Sequence, residues 1–441
     1  MAVKKSDGRP LLRAARRLTD IYIIVMLAVF PLFWGTEGYT NITRPKYLFF
    51  AAATTAWVAA VAVMLVIGLI RGEKYAPRVR LVHLLVAGYL VAGALSACLS
   101  DYKDVILNGA GRFDGYLTTL LYGAIFFGVS FLAAPKRRYA WALGVSATLC
   151  ALVAILQLMG YDPMGLYPTG TNYYDKYIAY SSAFLSTIGN AGLYAAYLCI
   201  AGPFLTVYGL LTQHRWERIL LLPGVVSTAL LCCCDIDAAI VALAGCVLVT
   251  VPVILKNRRA SRTALCINGG ITAAGILGVY FWPGTSGTIW EISQVMHGQL
   301  SDEFGSHRGQ IWKECWRLIR QRPWFGYGPG TAASVIDIRW ERYVEETQKT
   351  RSTFVDNTHN VYLNVLLTTG VVGLACYLGG IVCSMVRWLK KRHVGAFYPA
   401  FGSAMLAYLI QDFFGIGLCI TAPFFWLMWG LMESGADEDS N

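Results

Sequence analysis

Long apolar runs dominate this chain and decide its class. A helix needs about 20 apolar residues to cross the hydrocarbon core of a bilayer. About twelve segments qualify: 19–35, 46–70, 81–99, 115–134, 140–159, 184–211, 219–234, 237–255, 263–282, 359–386, 395–411 and 415–432. Soluble domains carry about 25% charged residues. This chain of 441 residues carries 14%, against 56% hydrophobic. So little charge cannot wet the two or three soluble domains its length would otherwise make. Cytosolic-enzyme, collagenous and disordered classes are excluded. The pattern predicts an all-α polytopic membrane protein with about twelve transmembrane helices. Only Asp235-Ile236-Asp237 separates the seventh run from the eighth, which predicts a tight hairpin or a broken helix.

The formal net charge is +11, from 37 Lys+Arg and 26 Asp+Glu. Such an excess in a soluble chain would suggest nucleic acid. No RNP, zinc-finger or helix-turn-helix signature is present, so no nucleic-acid partner is expected. The cations sort by loop instead. Twenty-three of the 37 lie before the first run or in alternate loops, among them Lys136-Arg137-Arg138, Arg215/Arg218, Lys256/Arg258/Arg259/Arg262 and Arg387/Lys390/Lys391/Arg392. Cytoplasmic loops carry such an excess, so this side is expected to be cytoplasmic.

The resulting plan has a basic cytoplasmic N-terminus (1–18), nine spans (19–282), an external loop (283–358), three spans (359–432) and an acidic cytoplasmic tail (433–441). The basic start and short apolar run imitate a signal peptide. No small-residue cleavage site follows and eleven more spans do, so it reads as an uncleaved first helix. Eleven of the twelve cysteines lie in or beside apolar runs, and Cys315 alone lies in a long polar segment. They read as small buried hydrophobes rather than as a disulfide framework.

The external loop holds nine cations. Long loops escape the positive-inside rule and tend to carry function. In 308–320, helical spacing puts Ile311, Trp312, Cys315, Trp316 and Ile319 on one face and Lys313, Arg317 and Arg320 on the other. This predicts an interfacial amphipathic helix with two Trp anchors. Arg308 breaks the pattern, because it projects onto the middle of the apolar stripe. A guanidinium there is costly unless an anion meets it, and Arg suits bidentate phosphate or carboxylate contact. Both a phosphate ligand and a structural ion pair remain open at this point.

Pro323 stops that helix, and Gly326, Gly328 and Gly330 then permit a tight turn. The sequence Asp356-Asn357-Thr358-His359-Asn360 leads into the tenth span. Polar groups at a membrane mouth are functional candidates, and histidine suits general-base work near neutral pH. Asn360 and Asp356 are candidates to orient it. Further polar groups expected on the external side are Arg112 in Gly109-Ala-Gly-Arg-Phe-Asp-Gly115, Asn190 early in the sixth span, and Asp235 and Asp237. His297, Asp302, Glu303 and His307 form only a loose cluster without HExxH or CxxC spacing, so no metal is expected.

These pieces, in this order, resemble the O-antigen ligase and polymerase superfamily of polytopic glycosyltransferases. The resemblance rests on Arg308-Gly-Gln-Ile-Trp, on Pro323-Trp-Phe-Gly-Tyr-Gly-Pro-Gly330, on His359-Asn360-Val-Tyr-Leu and on Gly370-Val-Val-Gly373. Gly109–Gly115 and Ile188-Gly-Asn190 match more weakly. The resemblance implies a GT-C-like helical fold in the inner membrane and metal-independent, cofactor-free glycosyl transfer outside it. Glycan would move from an undecaprenyl-pyrophosphate donor to a glycan or lipid acceptor. By the same resemblance, Arg308 would bind the donor pyrophosphate, and His359 would act as base on the acceptor hydroxyl or orient it.

Ligases of this kind usually carry another Arg where Asp237 stands here. Either Arg112, Arg339 or another loop cation takes its place, or the donor differs, or the chain is a divergent, even non-catalytic, member. Asp237 is then left to pair with Arg308 or to orient the acceptor. A repeat-unit polymerase is the nearest alternative. A lipid-linked glycan transporter or flippase is the alternative of another class.

Overall fold

The computed structural model describes residues 9–168, 184–344 and 349–434. Lys4, Lys5 and the acidic tail Asp437-Glu438-Asp439 lie outside them. The chain is almost wholly helical. Its helices are α1 (Pro10–Ile24), α2 (Thr43–Ile70), α3 (Leu81–Leu99), α4 (Tyr116–Leu132), α5 (Arg137–Leu158), α6 (Ala191–Leu211), α7 (Leu221–Cys233), α8 (Asp237–Ile254) and α9 (Arg258–Tyr280). After three short or amphipathic helices, α10 (Thr288–Met296), α11 (Phe304–Gln321) and α12 (Ala332–Val335), come α13 (Val361–Lys390), α14 (Phe397–Gln411) and α15 (Ala422–Ser434).

Among the described residues, eight helices are long and apolar enough to cross a bilayer: α2, α3, α5, α6, α8, α9, α13, and α7 with the 3-10 turn Arg215–Leu220 that precedes it. α4 is apolar but shorter. α1 continues through a π-helical stretch, Val25–Val29, and a 3-10 turn, Phe30–Leu32, that contains Pro31. Outward-facing Val63, Val66, Leu69 and Ile70 on α2, and Leu265, Ile267 and Ile271 on α9, present apolar surface suited to lipid. The protein is a multi-pass membrane protein.

The centre is α6, whose Tyr194, Tyr197, Leu198, Phe204 and Tyr208 are buried against α7 and α14. α3 packs along α13, and α4 along α15. A buried carboxylate near each chain end gathers cations of the Lys/Arg-rich loops. Asp20 bonds Lys136, Arg138 and Tyr139. Glu433 bonds Arg80 (2.9 Å), Arg387 and Ser384 (2.6 Å).

Three expectations need correction. Lys46 is fully buried near the start of α2, donating to the carbonyls of Phe30 and Pro31 at 3.3 and 3.1 Å. The broken helix after α1 frees those carbonyls, so a cation at the start of the second run is buried rather than placed at a span edge. All twelve cysteines are free, but Cys98, Cys232, Cys233 and Cys266 face outward rather than into the core. The loop between α9 and α13 also contains a hairpin, β1 (Arg339–Val344) with β2 (Lys349–Phe354), antiparallel with Arg339 opposite Phe354.

Candidate active site

The site is assembled by an interruption in α13. Gly370 sits at φ +69°, outside helical geometry. Breaking a helix frees carbonyls and amides that lipid cannot satisfy. The turn after α11 satisfies them. Tyr327 and Gly328 donate their amides to Leu367 and Thr368 at 3.0 and 2.9 Å, and Val371 donates to the Pro323 carbonyl at 2.8 Å. A Cβ on Gly370 would lie 2.1 Å from the Trp324 oxygen. Gly330 (φ +75°) allows a second close approach: a Cβ there would meet Gly109 Cα at 2.6 Å. The two glycine-rich segments, 326–330 and 109–115, are therefore packed on each other, and Arg112 is carried to the mouth of α13.

At that mouth Asn360 caps the helix, its Oδ1 accepting from the Leu363 amide at 2.9 Å. Its side chain is used for the helix rather than for His359. Asn190 plays the same part for α6, accepting from Leu193 at 3.1 Å. His359 is half-buried in the left-handed region (φ +50°), and its amide donates to Asn357 Oδ1 at 3.0 Å. Arg112 meets Asp356 through a two-bond fork, Nε to Oδ2 at 2.5 Å and Nη2 to Oδ1 at 2.7 Å. Burial, then Arg308 and Arg112, push the His359 imidazole down to about 4, with Asp356 opposing. It is therefore neutral at pH 7.

Arg308 opens the regular part of α11, after left-handed Gly305, Ser306 and His307. Glu291 holds that turn by accepting the Gly305 amide at 2.8 Å. Arg308 Nη1 donates to the Gly305 carbonyl at 2.7 Å, and Nη2 to the Phe414 carbonyl at 3.5 Å. Its Nε is buried without a partner among the described residues. Burial lowers the guanidinium from its ordinary value, and Asp237 opposes this. Arg308, Asp235, Asp237 and Glu291 line one cavity of about 310 Å³. Asp237 accepts from Thr288 at 2.9 Å. Arg308 and Asp237 are thus neighbours across a cavity, without a direct ion pair among the described residues.

The amphipathic face of α11 needs a correction. Ile311, Cys315, Leu318 and Ile319 are buried against the turn and α13. Trp312 donates to the Thr358 carbonyl at 3.1 Å and packs on Phe304, Phe413 and Phe414. Only Trp316 of the two expected anchors is exposed. The helix roofs the site rather than floating on lipid, because its apolar stripe matches the broken face of α13.

Arg339 is not brought to this centre. It lies 3.7 Å from Asp337 and over the Phe354 ring at 4.9 Å. The loose His/Asp group is dispersed among separate partners. His297 stacks on Tyr280, Asp302 pairs with Lys313, and His307 faces Trp340.

One acid, Asp412, escaped sequence reasoning, and a second, Asp114, was quoted only as part of the 109–115 segment. Asp412 is buried (2% exposed) between α14 and α15, with Oδ1 unpartnered and its carbonyl accepting from Val361 at 2.9 Å. It shares a cavity of about 80 Å³ with Asp114, Tyr122 and Asn364. Burial pushes both carboxyls up, Asp412 well above its ordinary value. An acid between two apolar runs with no nearby cation was the available signal.

A protein-family model described as O-antigen ligase matches residues 222–378. Over those residues the chain is similar to the O-antigen ligase family. Comparison with curated proteins gives no match. The segment matched to the O-antigen ligase model contains Asp237, Arg308, His359 and Gly370, whereas Arg112, Asp114 and Asp412 lie outside it. The matched segment thus supplies one half of the cationic mouth, and the α3–α4 loop supplies the other.

Proposed function

We propose that this O-antigen ligase-type enzyme transfers glycan from an undecaprenyl-pyrophosphate donor to an acceptor hydroxyl outside the cytoplasmic membrane. The observation that carries this reading is His359, half-buried at a helix mouth and within the field of both Arg308 and Arg112. Arg112 answers for the second cation that Asp237 does not supply. The acceptor oxygen attacks the anomeric carbon as its proton passes to the His359 imidazole. The bond from that carbon to the pyrophosphate oxygen breaks, and its electron pair leaves on the undecaprenyl pyrophosphate. Arg308 and Arg112 offset the charge that grows there. An imidazole held near 4 is a weak base. Pyrophosphate arriving between the two guanidiniums cancels their field and raises it toward working range. Asp237 and Glu291 face the same cavity as Arg308 and orient the acceptor.

The sidedness follows the same geometry. α4, α8 and α15 begin near the site, and α14 ends there, while their other ends meet the Lys/Arg-rich loops. This supports about twelve spans, cytoplasmic termini and an external site.

The test is product analysis with the purified enzyme, undecaprenyl-pyrophosphate-linked oligosaccharide and a lipid acceptor. Glycosylated acceptor plus released undecaprenyl pyrophosphate is expected. Chains of joined repeats on the donor lipid would assign the polymerase reaction instead. Movement of intact lipid-linked sugar across a liposome, with no glycosidic bond changed, would overturn the transferase reading.

A further inference from the structure

Four Lys/Arg-rich loops converge on one cavity at the opposite end of the bundle. Arg137 opens α5, His214 follows α6, Lys256 precedes α9, and Arg392 and His393 lie between α13 and α14. Together they line a space of about 250 Å³. The positive-inside rule accounts for cations in these loops. It does not account for their meeting around a concavity.

Among the described residues, no acid lines that space. Glu217, bonded to the lining residues Arg137, Tyr208 (2.6 Å) and Thr212 (2.8 Å), is fully buried and already used by them. Lys256 and Arg392 have no carboxylate partner among the described residues. Their charges bear on each other's neighbour: burial, then Arg392 and Lys256, push the His393 imidazole below its ordinary value. Unpaired like charges in a concave, partly apolar space focus an anion-attracting field. The remaining wall is apolar, with Leu211, Ile254 and Phe397. Beside it Trp216 is 75% exposed, with the Arg215 guanidinium 5.2 Å above its ring, as expected at the headgroup level of a membrane.

We propose that this cavity is a phosphate-binding site that takes the phosphate ester of an anionic phospholipid from the leaflet on the side of the Lys/Arg-rich loops. Lys256 and Arg392 hold the phosphate, and the apolar wall receives the glycerol and the start of the acyl chains. The site is independent of the transfer centre, which lies at the other end of α13.

Native mass spectrometry of the full chain in nanodiscs tests this. One set contains phosphatidylglycerol in phosphatidylcholine, and another contains phosphatidylcholine alone with inorganic phosphate. The Lys256→Ala/Arg392→Ala protein should retain phosphatidylglycerol about thirtyfold less than wild type, from about 1 kcal/mol per cation near the surface. Arg258→Ala/Arg259→Ala removes the same charge from the adjacent turn outside the cavity and should retain it. The milder Lys256→Met alone should show a smaller loss if the double variant misfolds. Phosphatidylglycerol that resists millimolar phosphate supports a lipid source. Phosphate that binds without anionic lipid and displaces it keeps the anion site but overturns the lipid source. Equal losses in both double variants, or no preference for phosphatidylglycerol over phosphatidylcholine, would overturn the site.

Discussion

Arg112 and Asp356, 244 residues apart in sequence, share a two-bond fork that closes the α3–α4 loop onto the mouth of α13. Both side chains are about a third exposed, so the pair adds little to stability. Its value lies in position. Asp356→Asn should shift the melting temperature little, yet lower kcat/KM by about tenfold or more as Arg112 loses its hold. Asp356→Glu should recover part of that loss. Arg112→Lys, which lacks the planar fork, should raise KM for the lipid-linked donor.

His359 sets a pH dependence whose sign follows from its lowered value. Between pH 6.5 and about 4 the unfolded chain binds a proton on this residue that the folded chain does not. Stability therefore rises with pH across that window and is level above it. Melting in detergent should show wild type losing more stability than His359→Asn between pH 7 and pH 5. Equal losses would mean that the imidazole is not held neutral.

Gly370 is required by both backbone conformation and space. Gly370→Ala must put a side chain at φ +69° and against the Trp324 carbonyl. Strain alone costs about 1–3 kcal/mol, and the clash adds to it. A fall in melting temperature with loss of activity is expected, whereas Gly269→Ala on α9, with open space around it, should do neither.

Glu433 is a second such point. Glu433→Gln leaves Arg80 and Arg387 facing a neutral amide. Breaking a buried pair on one side costs about 3–5 kcal/mol. A large loss of thermal stability without change in donor KM is the expected result, read from melting curves and kinetics at permissive temperature.

Much of this fold was legible because apolar run length is set by the bilayer, and every one of the expected segments overlies helix. Arg308 and His359 were legible for a similar reason, since each stands out against a regular pattern. What sequence hid depends on distant packing. The Arg112–Asp356 fork joins loops that no local period relates. The break at Gly370 reads as an ordinary Gly in a span until the turn at 326–328 takes its carbonyls. Trp312 reads as an anchor in lipid because its partners, Phe413 and Phe414, arrive from a hundred residues away. Lys46 reads as a span-edge cation, but the carbonyls that bury it belong to the end of the preceding helix.

The central claim is that Arg308 and His359 act on the donor pyrophosphate and the acceptor hydroxyl. Single-turnover transfer from undecaprenyl-pyrophosphate-linked glycan, compared among wild type, Arg308→Ala, His359→Ala and Arg339→Ala, tests it most directly. Losses of about 10²–10⁴ are predicted for the first two, and a rate within about twofold of wild type for the exposed Arg339, which meets neither group. Folded Arg308→Ala and His359→Ala proteins that both transfer glycan at the wild-type rate would contradict it.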